Sequence, residues 1–347
     1  MIPFTELQSK THINATQLYE SFRDAQKKAR SYRGSMTWKK AKGKEYLFKV
    51  QDNYGNGKSL GVRTPETEEI HEAFYKNKAN AKERFKSLRN EVKAQAPLCK
   101  SVKIQRVPII ASKILRELDQ RNLLGNHVMV VGTNVLYAYE AAAGIFFDNK
   151  SIATEDMDIL WDIRSKLRLG IEEDADPKDF IDVLRKVDKS FELYHGQTFR
   201  VANEKGYMVD LLKAMPQRMT MVERDRIGGP SDMRAVEVKN ISWLLSAQKF
   251  EQVAIGYDGI PVRIIAPDPR AFALHKFWVS EQKDRDPRKK GRDREQAIAV
   301  ARMVMEYLPH LEFTSEDMQM FPAELLMDFK TIIDDQEEDD DDFSLHF

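Results

Sequence analysis

The period of the apolar positions changes several times along the chain, and each change marks an element. Between residues 13 and 32, Leu18, Phe22 and Ala25 fall near one face at helical spacing, which predicts a helix. MTWKKAKGKEYLFKV (36–50) and KSLGVR (58–63) alternate polar and apolar residues instead. Gly55-Asn56-Gly57 between them tolerates positive φ, so a small β-hairpin is expected. Thr64-Pro65-Glu66 opens a second helix with a hydroxyl cap, a first-turn proline and an acid near the dipole's positive end. That helix is read as far as about Lys93, and Pro97 is read as a linker. Ile110, Ile114, Leu115 and Leu118 then mark an amphipathic helix over about 108–123, with Gly125 placed to end it.

From residue 127 the texture changes. HVMVVG is a short apolar run ending in Gly132, and TNVLYAYEAAAG follows at helical spacing up to Gly144. The order is strand, glycine turn, helix. TEDMDILWD (154–162) reads as a strand and PKDFIDVLRKVDKS (177–190) as a helix. Short strands follow in FELYHGQTFRVANEKGYMVDLL (191–212), turning at Asn203-Glu204-Lys205-Gly206, and QVAIGYDGIPVRIIA (252–266) fits another hairpin. The last third reads as helices over 268–282, 294–308 and roughly 316–333. The expected class is α+β: a mixed sheet flanked by helices, preceded by a helix and β-hairpin module and followed by a helical region. The expected units are 1–105, 106–265, 266–333 and a disordered acidic tail over 334–347.

Composition narrows the classes of function. No run of about 18 apolar residues exists, which argues against a membrane span. The start of the chain lacks a signal-peptide pattern, and Cys99 is the single cysteine, so neither an internal disulfide nor a zinc cluster is available. A cytoplasmic protein is expected. The zero net charge conceals an asymmetry: residues 1–100 carry 21 Lys and Arg against 11 Asp and Glu, whereas 311–347 carry one Lys against 13 acids. The basic front suits a polyanion, or is simply a solvated lysine-rich surface. Trp38 and Tyr46 among the lysines either stack on bases or pack a half-buried hairpin. The acidic end is a solubilising tail, or a polyanion mimic that competes for the front module.

The candidate chemistry lies in the middle of the chain. Side chains alternate along a strand, so Asp156 and Asp158 project together while Met157, Ile159 and Trp161 project oppositely. Two carboxylates this close favour a divalent cation between them. Asp210 interrupts the apolar run YMVDLL, and a metal shared with the pair is one way to offset its burial; facing water at a strand end is the other. Gly132, Thr133 and Asn134 stand where a strand passes into a helix, a place whose free N–H groups favour phosphate.

VVGTNVLYAYEAAAG, ATEDMDILWD and YMVDLL together resemble the DNA polymerase β-like nucleotidyltransferase fold, in which a glycine turn precedes a D-h-[DE] pair and a later strand adds a third acid. The fuller pattern is similar to bacterial nucleotidyltransferases of the abortive-infection toxin type. Thr133 replaces the commoner Gly or Ser of that turn. The resemblance covers roughly 106–310 and implies a nucleoside triphosphate substrate and two Mg²⁺ or Mn²⁺ ions. Asp156 and Asp158 would hold both ions, with Asp210 completing the second site and accepting the proton of the attacking hydroxyl. Lys276, in FALHKFWVSEQ, would neutralise the triphosphate, and Arg292 would do the same with Asp293 orienting it or contacting the nucleotide. A snorkelling lysine and a surface helix start are the plainer readings of those three. The implied activity is transfer of a nucleoside monophosphate to an RNA, tRNA or protein hydroxyl with release of pyrophosphate, in a toxin or phage-defence setting. A catalytically silent nucleotide- or nucleic-acid-binding module of the same fold is the alternative. A metal-dependent nuclease comes third, since it has no need of the Gly-Thr turn.

Overall fold

The computed structural model describes residues 1–50, 56–152, 154–164, 179–216, 224–314 and 316–344. After a short strand β1 (Ile2–Pro3), helix α1 spans Glu6–Ser31. It begins seven residues earlier than the apolar spacing indicates, because Thr5 and Gln8 form a reciprocal capping box. Strands β2 (Ser35–Ala41), β3 (Lys44–Val50) and β4 (Gly57–Val62) make an antiparallel sheet of three, not the expected two-stranded hairpin. The extra turn falls at Lys42 and Gly43, both at positive φ (49° and 75°), as a two-residue hairpin turn requires. Gly55, expected in the other turn, lies outside the described residues.

Helix α2 runs from Pro65 to Ser101, through Pro97, so the linker expected there is absent. Proline removes one backbone bond in a helix. Here the deprived carbonyl belongs to Lys93, and Lys93 and Pro97 are both exposed, so water can serve it. Buried Val92, Ala96 and Cys99 hold the surrounding turns in place.

Next come α3 (Ile109–Gln120), β5 (Val128–Val131), a 3₁₀ turn over Gly132–Val135, α4 (Leu136–Ala143) and β6 (Ile145–Phe146). Gly144 closes α4 in the left-handed conformation, φ 64°. Then follow α5 (Asn149–Ile152), β7 (Asp156–Trp161) and α6 (Phe180–Val187), whose expected start at Pro177-Lys178 lies outside the described residues. The buried carboxylate of Asp232 caps α6, accepting from the Phe180 and Ile181 amides at 2.8 and 3.0 Å. Strands β8 (Glu192–Tyr194), β9 (Gln197–Ala202), β10 (Met208–Ala214) and β11 (Val236–Val238) lead to α7 (Ser242–Ser246) and the hairpin β12 (Lys249–Ile255) and β13 (Pro261–Pro267). Helices α8 (Pro269–Glu281), α9 (Pro287–Tyr307) and α10 (Ala323–Ser344) complete the chain.

The central sheet is mixed, in the order β5-β7-β10-β9-β8, with β11 also along β10. β10 runs parallel to β7 and β11, and the other pairs are antiparallel. β5 is buried at every position, as expected for a strand covered on both faces. One apolar core joins this sheet to α3, α4, α6, α8 and α9, and Phe329 and Ile333 of α10 enter it too. The fold is α+β, a mixed sheet flanked by helices. The acidic run that should have been a disordered tail from residue 334 is instead helical to Ser344. Extending a helix already anchored at Phe329 and Ile333 avoids the unfavourable nucleation step. Among the described residues no helix is long and apolar enough to cross a membrane.

The front helices dock directly on the rest of the chain. β1 pairs with β6, His12 bonds the Val253 carbonyl at 2.8 Å, and Arg23 makes a two-pronged pair with Asp119 at 2.8 and 3.2 Å.

Candidate active site

β7 places Asp156 and Asp158 on one face, with Met157 and Ile159 buried on the other. β10 runs beside it in parallel, and Asp210 is the register partner of Asp158, so the third acid shares that face. The antiparallel neighbour β9 sets Arg200 opposite Asp210. The guanidinium grips both carboxylate oxygens, Nε to Oδ1 and Nη2 to Oδ2, each at 2.6 Å. Arg200 therefore meets the charge of the buried Asp210. Asp210, with Asp156 and Asp158 behind it, holds the Arg200 guanidinium above its ordinary proton affinity.

The phosphate-type turn meets this cluster at Gly132. A Cβ added there would lie 2.2 Å from Asp158 Oδ2, and Gly132 sits at φ +66°. Glycine is thus required twice, for its backbone conformation and for the approach of Asp158. Asn134 ties the turn to the acid strand, its amide donating to the backbone carbonyl of Asp156 at 2.6 Å. Thr154 donates its hydroxyl to the Asp156 carboxylate. Asp158 is crowded by protein on most sides, and burial pushes its carboxyl up to about 7. The negative Asp156 and Asp210 add to that shift, while Lys276 and Arg200 oppose it.

Helices α8 and α9 bring the cations. Lys276 donates to Asp293 Oδ1 at 2.6 Å, and Arg285 reaches Asp293 Oδ2 at 2.6 Å. The buried Asp293 therefore orients Lys276 and Arg285, where the sequence reading had it orient Arg292. Arg292 and Gln296 instead converge on the Thr133 hydroxyl, at 3.4 and 3.3 Å. All nine residues singled out in the sequence thus belong to one connected region: the turn 132–134, the three acids, and Lys276, Arg292 and Asp293.

The sequence reading missed Arg200, Arg285 and Tyr207. The Tyr207 hydroxyl is buried with no hydrogen-bond partner among the described residues, as is Asn134 Oδ1. Burial, reinforced by the Asp156 charge, keeps that phenol protonated.

In donor chemistry the Asp156 and Asp158 carboxylates fit one hard divalent ion. They are oxygen ligands from one rigid strand, and the charge of Asp156 adds to the burial that raises Asp158. Among the described residues no group of three His, Cys, Asp or Glu side chains is arranged to hold an ion, and Asp210 has both oxygens engaged.

A nucleotidyltransferase family model matches residues 110–321. The chain belongs to the nucleotidyltransferase family. Neither the curated proteins nor the solved structures contain a match to it. Membership gives the general chemistry, nucleotidyl transfer from a nucleoside triphosphate. The matched span of this nucleotidyltransferase contains the turn, the three acids and both cation-bearing helices, and leaves out α1, α2 and the three-stranded sheet.

Proposed function

We propose that the chain transfers a nucleoside monophosphate from a triphosphate to a hydroxyl on RNA or protein, with a divalent metal and release of pyrophosphate. The observation that carries this reading is the position of Asp158, set between Asp156, the register partner Asp210 and the glycine turn. A binding module has no need to crowd three carboxylates around a phosphate-type turn.

Asp156 and Asp158 would hold a Mg²⁺ or Mn²⁺ ion, which would supply Lewis-acid stabilisation of phosphate oxygens. The second expected ion would need Asp210, and Arg200 already provides a positive charge at that position. The acceptor hydroxyl attacks the α-phosphorus in line, and the bond to the bridging oxygen breaks. Its proton passes to the carboxylate cluster, and Asp210, the acceptor the resemblance implies, takes it on releasing one of its two Arg200 bonds. Pyrophosphate leaves on the Gly132-Thr133 side, where Arg292 and Lys276 meet its charge. Asp293 keeps Lys276 in place for that role.

One observation favours the alternative of a silent binding module: the full occupation of Asp210 by Arg200. A toxin or phage-defence setting is proposed on the resemblance to abortive-infection enzymes alone, and a cytoplasmic location on the single cysteine, Cys99. The deciding experiment incubates the protein and Asp158→Ala with each α-labelled triphosphate, Mg²⁺ or Mn²⁺, and total RNA and protein. Label in RNA or protein that disappears in the variant is the expected result. No label supports the silent module, and shortened RNA without label supports a nuclease.

A further inference from the structure

The three-stranded sheet has one face committed to the fold and one that the reaction does not use. Cross-strand partners share a face. The inner face sets Met36, Leu47 and Trp38 against Phe74 of α2 in a small buried cluster. The outer face carries Thr37 opposite Phe48 and Lys39 opposite Tyr46, with Lys44 one pair further on. Thr37, Lys39 and Lys44 are exposed, and the two rings are half-exposed. The Lys39 ammonium lies 3.8 Å from the centroid of the Phe48 ring.

Charge on this sheet is one-sided. Residues 35–50 contain five lysines and one acid, Glu45. Arg63 occupies that acid at 2.7 Å, so it does not offset the lysines. Lysines interleaved with outward aromatic rings on a rigid sheet form a surface on which unpaired bases stack and phosphates find cations. An acidic protein would use the lysines and leave the rings idle. A duplex would leave them idle as well, since its bases are already stacked.

We propose that the outer face of β2-β3-β4 binds single-stranded RNA, with a base on Tyr46 and phosphates on Lys44 and on Lys39, which rests over Phe48, and that this RNA is the acceptor. The acceptor clause rests on the transferase reading, whereas the binding clause does not.

The test is fluorescence anisotropy of labelled 15-nucleotide RNAs, U-rich and A-rich, without triphosphate or metal. The same sequences as duplex and a polyglutamate peptide serve as competitors. Lys39→Glu with Lys44→Glu is expected to weaken single-strand binding at least tenfold and to flatten the salt slope by about 1.4, from about 0.7 per phosphate contact. Tyr46→Ala is expected to weaken it about tenfold. Tyr46→Leu, which keeps apolar bulk in the sheet, is expected to do the same while the melting temperature holds. Unchanged affinity in these variants overturns the proposal, as does equal binding of duplex or competition by polyglutamate alone. Because the assay needs no nucleotide, loss of the transferase reading would leave its outcome intact. Failure of the RNA proposal would likewise leave labelled transfer to protein untouched.

Discussion

Gly132 and Asp158 constrain each other more tightly than any other pair in the site. A side chain at Gly132 meets the left-handed backbone penalty, about 1–2 kcal/mol, and a carboxylate oxygen at 2.2 Å. Gly132→Ala is therefore expected to lower stability by at least 2 kcal/mol in urea melts and to abolish nucleotide transfer. Asp158 gives a pH signature. Its carboxyl titrates at about 7 in the folded chain, against an ordinary 3.8. Between those values the folded state binds more proton, so this group's contribution to stability falls as pH rises from about 4 and is fully lost above about 7. Asp158→Asn removes that slope. At pH 8 the inactive variant is expected to be about 1–2 kcal/mol more stable than the native chain, the figure being reduced for solvent at the mouth of the site. The same comparison made with added Mg²⁺ should raise the melting temperature of the native chain only. A gap between variant and native chain that stays the same from pH 4 to pH 8 would contradict this account of Asp158.

Among the elements, the β9-β10 hairpin shows how much of the site was within reach of the sequence. Its turn at Asn203-Glu204-Lys205-Gly206 was recognisable, and the mirror pairing of the two strands, Ala202 with Met208, carries straight on to Arg200 with Asp210. Counting outward from that turn would have found the partner of Asp210. Removing it by Arg200→Met leaves a buried carboxylate without its cation. A loss of about 3 kcal/mol is expected, recovered in part by adding Asp210→Asn. Equal melting of the single variant and the native chain would show that the pair contributes nothing. The Lys276, Arg285 and Asp293 junction had no such local rule. Its members sit on α8, on the connection and on α9, and only the packing of the two helices decides that one carboxylate serves both cations. The extra strand at the front escaped because its turn is Lys42-Gly43, buried in a run of lysines that looks like continuous polar alternation.

At the scale of the molecule, the chain joins a basic front to an acidic end at zero net charge. α10 links that end to the core through Phe329 and Ile333, 3% and 4% exposed. Ending the chain after Asp334 keeps both anchors, and the melting temperature is expected to stay within a few degrees. Ending it after Pro322 removes both, at about 2–5 kcal/mol for each buried side chain, and is expected to unfold much of the population at 37 °C. If the acidic end competes with RNA for the front, the first truncation should also tighten RNA binding at low salt; unchanged binding removes that competition. What the sequence determined by itself was local. The face shared by Asp156 and Asp158, the cap and stop at Pro65 and Gly144, and the turn at Gly132 follow from dihedral preferences of contiguous residues, whereas α3 ends at Gln120, before the stop expected at Gly125. What the tertiary structure decided was partnership. Arg200 on Asp210, Asp293 between two cations, and Gly132 against Asp158 depend on register and helix packing between distant segments. Those arrangements are fixed by burying one common core, which no short window of residues encodes.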